Sequence, residues 1–568
     1  MISPAAIWVR ASGPLAILVL TGPILAGLIW VALPAFGHLP ALGRTGPSLE
    51  PWRDLWATPG LARMVSLSVT AGLATPLVAL VVTCLFLAGW SQSRGFVWVR
   101  RAISPILSVP HAAAAFGLAF LIAPSGLIAR AFSPWLTGWQ RPPDLLIVQD
   151  TAGLSMMAGL VVKEVPFLML VALAALPQID AGRRLMVARG LGYAPLAAWF
   201  KTVFPALYLL IRLPIFAVIA YSSANVEIAL ILGPGTPPTL AVAILRWLND
   251  PELAQRLMAS AGALAQAALT LGCILLWWLG EHVVAGLGRF WIEGGARTLA
   301  DRTLAALGLA GMLLVGIGAF GGLLTLALWS VAEFWRFPDL LPQGWGLRSW
   351  MRVGGQVGLP LWHALAVGVL STGLALILVT GALENEIRRG RGIGRLGELI
   401  LYLPLVVPGI AFLFGLVLAS EAAGLKPGLL TVTFGHLIFV LPYVYLSLSE
   451  AYRRLDPRWS ALARSLGQSP MQAFLKVRLP LLSQPVLTAF AVGFAVSIGQ
   501  YLATQLLGAG RVPTITTEAV ALAAGGDRRV IAVWALMQAL LPALAFALAT
   551  GLPWLLWRNR RGMRGTLR

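Results

Sequence analysis

Twelve runs of about twenty or more mainly apolar residues, spaced along 568 residues, leave this chain few folds to choose from. In hydrocarbon, every backbone N–H and C=O must find its partner inside the protein, so runs of this length are read as helices that cross a bilayer. In the first half they lie near 12–36, 62–89, 101–123, 151–176, 207–232 and 257–286. In the second half they lie near 303–333, 357–383, 397–420, 428–450, 481–508 and 529–557. Apolar residues make up 58% of the chain and charged residues 11%, more apolar surface than a water-soluble core could hide. The first run exceeds the apolar region of a signal peptide and reads as a retained span.

The formal net charge of +20 raises the question of nucleic acid. The basic residues, however, sit in short clusters between the apolar runs: Arg94, Arg100 and Arg101; Arg388, Arg389, Arg391 and Arg395; Arg558, Arg560, Arg561 and Arg564. That is the distribution of the positive-inside rule, and it points to lipid rather than nucleic acid as the partner. With the N-terminus inside, the segments 90–100, 177–206, 287–302, 384–396 and 451–480 and both termini are cytoplasmic. These carry roughly twice the Lys and Arg of the opposite loops. The five histidines are scattered without ligand spacing, and Cys84 and Cys273 lie in separate apolar runs. Neither a metal site nor a disulfide framework is expected.

The two halves repeat each other. Gly192, Pro195, Lys201 and Pro205 match Gly467, Pro470, Lys476 and Pro480 at a constant offset of 275, which also carries Leu232-Gly233 onto Leu507-Gly508. Upstream, Val109-Pro110 and Gly117 match Val407-Pro408 and Gly415 at an offset of 298, so the first half holds about 22 extra residues, around 130–150. The expectation is an all-α integral membrane fold of about twelve spans in two parallel six-helix repeats, 1–290 and 291–568.

The segments 180–205 and 456–480, each between the fourth and fifth spans of its half, carry the strongest local signal. Asp456 is a good N-cap, Pro457 a good first helical residue, and Gly467 can close the helix in the left-handed region. Ser469-Pro470 then restarts a second helix that ends near Pro480. Asp180, Gly192, Pro195 and Pro205 predict the same helix, glycine turn and helix in the first copy.

The stretches ARGLGYAPLAAWFKTVFP and ARSLGQSPMQAFLKVRLP resemble the cytoplasmic "EAA" loop of binding-protein-dependent ABC permeases. LGPGTPPTLAVAI and LGAGRVPTITTEAV resemble the loop that follows the fifth span in that family. The likeness covers nearly the whole chain and is nearest the fused permeases of the iron(III), thiamine and polyamine importers. It implies a type I ABC importer permease fold in which each loop docks on an ATPase. Ala188, Arg189, Gly192, Pro195 and Pro205, and Ala463, Arg464, Gly467, Pro470 and Pro480, are then the coupling residues. One departure is plain: the glutamate of the triplet is replaced by Met186 and Ala461.

Ionisable groups inside spans are costly and mark function by default. Lys163 and Glu164 in the fourth span, and Asn225 and Glu227 with Gln500, are candidates for the translocation path. The alternative is an internal ion pair that fixes packing, with Lys163 and Glu227 as one couple.

A P-loop needs a lysine preceded by glycine. The four lysines, Lys163, Lys201, Lys426 and Lys476, follow Val162, Phe200, Leu425 and Leu475. The chain is therefore expected to be no enzyme and to hold no cofactor, with ATP and magnesium bound by a partner. The resemblance implies two copies of an ABC ATPase, a periplasmic or extracellular solute-binding protein, and alternating access in a bacterial inner membrane. A secondary transporter with duplicated six-helix halves, driven by an ion gradient, is the competing class.

Overall fold

A computed structural model describes residues 4–390 and 392–556. Arg391 and the cluster Arg558, Arg560, Arg561 and Arg564 lie outside the described residues. Among the described residues, ten helices are long and apolar enough to cross a membrane. Two bent pairs, Leu399–Val406 with Gly409–Ala422 (93°) and Pro470–Leu481 with Ser483–Ile498 (76°), raise the number of spans to twelve. Among the described residues, the one sheet is a short antiparallel hairpin of Ala332–Phe334 and Gly344–Trp345.

Four spans differ from the sequence expectation, each at an identifiable break. The run at 101–123 is divided into Phe96–Ser108 and His111–Ile122. Pro110 has no N–H to continue the ladder, and it holds Val109 in an extended conformation. Pro408 has the same effect in the bent pair. The run at 207–232 stops at Ser223 and restarts as a short helix, Glu227–Leu232. The run at 481–508 likewise gives Ser483–Ile498 followed by Leu502–Gly508.

The two sequence halves are not two bodies in space, because each sends its first span across to the other. Pro4–Ala35 packs on Gly358–Arg389 and Gly409–Ala422, and the seventh span, Asp301–Val331, packs on Leu61–Trp90 and His111–Ile122. Small residues allow the contact: a β-carbon at Gly27 would collide with the Phe412 carbonyl, and one at Gly117 with the backbone of Gly322. Away from the spans, Asp150 caps Leu154–Ala175, accepting the N–H groups of Leu154 and Ser155, each at 2.8 Å. Burial works against its charged form, but these hydrogen bonds prevail and hold the carboxyl below its usual range.

At the end of the bundle that carries 180–205 and 456–480, the two halves are joined to their loops in different ways. Glu384, on Gly358–Arg389, accepts hydrogen bonds from Arg478 (2.7 Å), Arg388 (2.9 Å) and the Tyr452 hydroxyl (2.7 Å). The residues matching Glu384 and Arg478 in the first half are Phe86 and Val203, both buried in one apolar cluster. The same joint is thus polar in one half and apolar in the other.

Removing Glu384 would leave the buried Arg478 guanidinium without its counter-charge. Glu384→Ala is expected to cost about 3–5 kcal/mol, read as a fall in melting temperature of the purified chain in detergent. Arg454→Ala, which breaks an exposed pair with Glu450, is expected to cost no more than about 1 kcal/mol. Equal losses from the two changes would contradict the clasp.

Candidate coupling loops and translocation path

Each candidate loop is built on a glycine turn. In the first, the helix Ala181–Gly190 ends where the Tyr193 N–H reaches the Ala188 carbonyl (3.2 Å) and the Gly192 N–H reaches that of Arg189 (3.0 Å). In the second, Arg458–Ser465 ends with the Gln468 N–H on the Ala463 carbonyl (3.1 Å) and the Gly467 N–H on that of Arg464 (3.0 Å). This double closure requires a left-handed residue, and Gly192 and Gly467 both have φ of +83°. Pro195 and Pro470 open the next helices, Pro195–Thr202 and Pro470–Ala473, where a missing N–H costs nothing. Pro205 and Pro480 take the same early position in Phe204–Ser223 and Leu479–Leu481.

The helix starts are less alike than the sequence suggested. The Asp456 carboxylate accepts the Arg458 N–H at 2.9 Å, but the helix itself begins at Arg458, one residue later than expected. Asp180 instead stands in the left-handed region, with no side-chain cap on its helix.

Ala188 and Ala463 face inward and are buried, which explains why both are small. Arg189 and Arg464 are exposed, and Arg189 reaches Gln92 at 3.3 Å. Sequence reasoning passed over what stands beside them. Met186, Val187 and Leu191 are 73%, 59% and 62% exposed, and their counterparts at the offset of 275 are Ala461, Leu462 and Leu466, also exposed. Apolar groups held open to solvent at matching positions of two copies are an unpartnered surface. The visible signal was the leucine directly before each glycine.

The path candidates divide by role. Lys163 is buried and donates to the Ile106 carbonyl at 3.1 Å and to that of Val109. In an unbroken helix the Ile106 carbonyl would accept from residue 110, and Pro110 has nothing to donate. The expected Lys163–Glu227 couple is therefore not formed. In the second half Phe439 takes the place of Lys163 and packs on Phe412, with ring centres 6.0 Å apart.

Glu164 is buried beside Lys163, within electrostatic reach of Tyr221 of the fifth span and Tyr443 of the tenth. The Asn225 side-chain oxygen accepts the N–H groups of Ile228 (2.8 Å) and Ala229 (3.3 Å), starting the helix Glu227–Leu232. Glu227 crosses the centre to accept the Tyr501 N–H at 3.0 Å, where Leu502–Gly508 begins. Its carboxylate thus stands at the positive ends of two short helices. Gln500, the counterpart of Asn225, is half-buried at the same turn. Among the described residues, no three His, Cys, Asp or Glu side chains are grouped to hold a metal.

Twelve spans in two interlocked halves, with a pair of matching loops and a polar centre, define a multi-pass membrane transport protein. Residues 373–556 match the family described as binding-protein-dependent transport system inner membrane component. The chain is 31% identical over 524 residues to the inner membrane ABC transporter permease protein YnjC of Escherichia coli, covering 91% of this chain and 93% of that one. It is 25% identical to a putative 2-aminoethylphosphonate transport system permease protein, PhnV, of Salmonella typhimurium, over 43% of this chain and 91% of the relative. With the putrescine transport system permease protein PotI of Escherichia coli it shares 24% identity, over 37% and 75%.

The chain belongs to this family. It is the fused permease subunit of an ABC importer, a multi-pass protein of the inner membrane whose work is transport rather than an enzymatic reaction. An ATPase and a solute-binding protein are the partners such a permease works with, and a secondary transporter is set aside.

If Lys163 serves the broken third span rather than Glu227, the two side chains share no interaction energy. A double-mutant cycle of Lys163→Met with Glu227→Gln, read from thermal unfolding, is expected to be additive within about 0.5 kcal/mol. A coupling above about 1 kcal/mol would restore the ion pair.

Proposed function

We propose that the chain imports a small solute by alternating access, with one ATPase subunit docked on each of the two loops, 180–205 and 456–480. On this reading, 1–290 and 291–568 are the two permease units, both termini are cytoplasmic, and ATP and magnesium are held by the ATPases alone. The observation that carries it is the pair of glycine-turned helices with matching exposed apolar residues, Met186, Val187 and Leu191 against Ala461, Leu462 and Leu466. A surface of that kind needs a partner, and two copies imply two. Apolar docking around Ala188 and Ala463 replaces the charge pair that a glutamate at 186 or 461 would make. Arg189 and Arg464 add polar contacts at the rim.

A loaded binding protein engages the face opposite the loops. ATP draws the ATPases together, each loop moves with its ATPase, and the interlocked halves rock about the polar centre. Lys163 and Asn225 are engaged with backbone and hold the broken helices. Glu164, Glu227 and Gln500 are left as the path residues. We infer a cargo that carries positive charge, because the path holds two carboxylates, the buried Glu164 and the half-buried Glu227, and Lys163, already engaged with backbone, is the one cation among those five residues. The contact from Glu227 to Tyr501 joins the halves and has to change when they separate.

Gly467→Ala has open space around the new β-carbon and is expected to cost only the left-handed strain, about 1–2 kcal/mol. Gly192→Val with Gly467→Val, which distorts both turns, is expected to abolish co-purification of the ATPase while the chain still inserts. Retention of the ATPase by that double variant would contradict the docking sites. Solute uptake by the chain alone in proteoliposomes, driven by an ion gradient without ATP, would overturn the mechanism.

A further inference from the structure

We propose that the segment joining the two halves is a working part of the first coupling loop, with Asp301 as its positioning residue. The proposal rests on the reading of the loops as ATPase docking sites.

The two loops differ at the start of their second helix. In the second loop the cap is internal: Ser469 Oγ accepts the Gln472 N–H at 3.2 Å, and the Gln472 side-chain oxygen accepts the Ser469 N–H at 2.9 Å. The matching residues of the first loop are Ala194 and Ala197, which have no oxygen to offer. The joining segment supplies it instead. Asp301 Oδ2 accepts the Leu196 N–H at 3.1 Å, while Oδ1 accepts the Leu299 N–H at 3.2 Å and so fixes the carboxylate. The Arg297 carbonyl accepts the Ala194 N–H at 2.9 Å.

Lys201 completes the strap. Its ammonium donates to the carbonyls of Ala296 (2.7 Å) and Trp291 (3.2 Å) and lies 4.6 Å from the Trp291 ring centre. Lys476, its counterpart, is exposed.

A carboxylate on a helix N-terminus is a charge-assisted cap, stronger than the hydroxyl it replaces. Asp301 is also the first residue of the seventh span, Asp301–Val331, whose Ala305 carbonyl accepts from Trp90 at 2.8 Å. Movement of the first loop is thereby passed straight to a span of the second sequence half. The second loop reaches its own half through Glu384 and Arg478. The two docking sites are therefore held by different means, and a change at Asp301 acts on one alone.

The test uses the full chain co-expressed with its ATPase, with a single reactive cysteine introduced as Met186→Cys or Ala461→Cys. Cys84 and Cys273 are buried and silent. A maleimide-to-amine reagent then reports each loop's contact with the ATPase. Asp301→Ala is expected to lower cross-linking from position 186 at least fivefold and to leave that from 461 within twofold. Adding Ala194→Ser, which restores a hydroxyl cap, is expected to return the first yield to within twofold of the parent. An unchanged yield at 186, or equal losses at both positions that Ala194→Ser does not reverse, would overturn the proposal. Should Asp301→Ala alone fail to accumulate, recovery on adding Ala194→Ser supports the proposal and lack of recovery counts against it. Absence of cross-linking from either position in the parent would instead defeat the docking reading itself.

Discussion

Wherever a membrane-spanning helix is interrupted, the backbone groups it releases must find partners inside the protein, because hydrocarbon offers none. This chain interrupts its spans repeatedly, at Pro110, at Pro408, and after Ser223 and Ile498. Several of the breaks are answered by a polar side chain. Lys163 takes the carbonyls before Pro110, Asn225 takes the N–H groups of Ile228 and Ala229, and Glu227 takes that of Tyr501. Gln538, from the last span, supports Thr516, whose hydroxyl bonds the Ile498 carbonyl. Much of the buried polar material at the centre is there because the helices are broken, and broken helices are what give a bundle of apolar spans a polar interior.

The same constraint explains why the halves differ although their sequences repeat. At the third span, one half repairs its proline break with Lys163, while the other bends by 93° and packs Phe439. At the loop, one half relies on Phe86 and Val203 in an apolar cluster and the other on Glu384 with Arg478. Duplication preserved the turns, which need a particular backbone conformation, and relaxed the packing, which has more than one solution. The exchange of first spans ties the two unequal halves together.

How much of this could be read beforehand follows the same division. Span number, the parallel repeat and both glycine turns were legible, because apolar run length and a left-handed residue are local properties. The breaks were only half legible: Pro110 was visible as a proline, but a run of apolar residues does not show that a fifth span ends at Ser223. Lys163 stands out in the sequence as a charge within a span, but its partners, the Ile106 and Val109 carbonyls, offer backbone rather than charge and leave no mark there. Asp180 looked like the equal of Asp456, yet it caps nothing. The exposure of Val187 and Leu462 is hidden for the opposite reason: in so apolar a chain, two more aliphatic residues carry no contrast.

The central claim is that two matched loops carry the motion of separate ATPases into interlocked halves. Its most direct measurement is the distance between spin labels at positions 186 and 461 in the complete transporter. The distance should shorten when ATP is bound and trapped before hydrolysis, and return after hydrolysis. A distance that stays the same while the ATPases turn over would show that the loops do not transmit the motion.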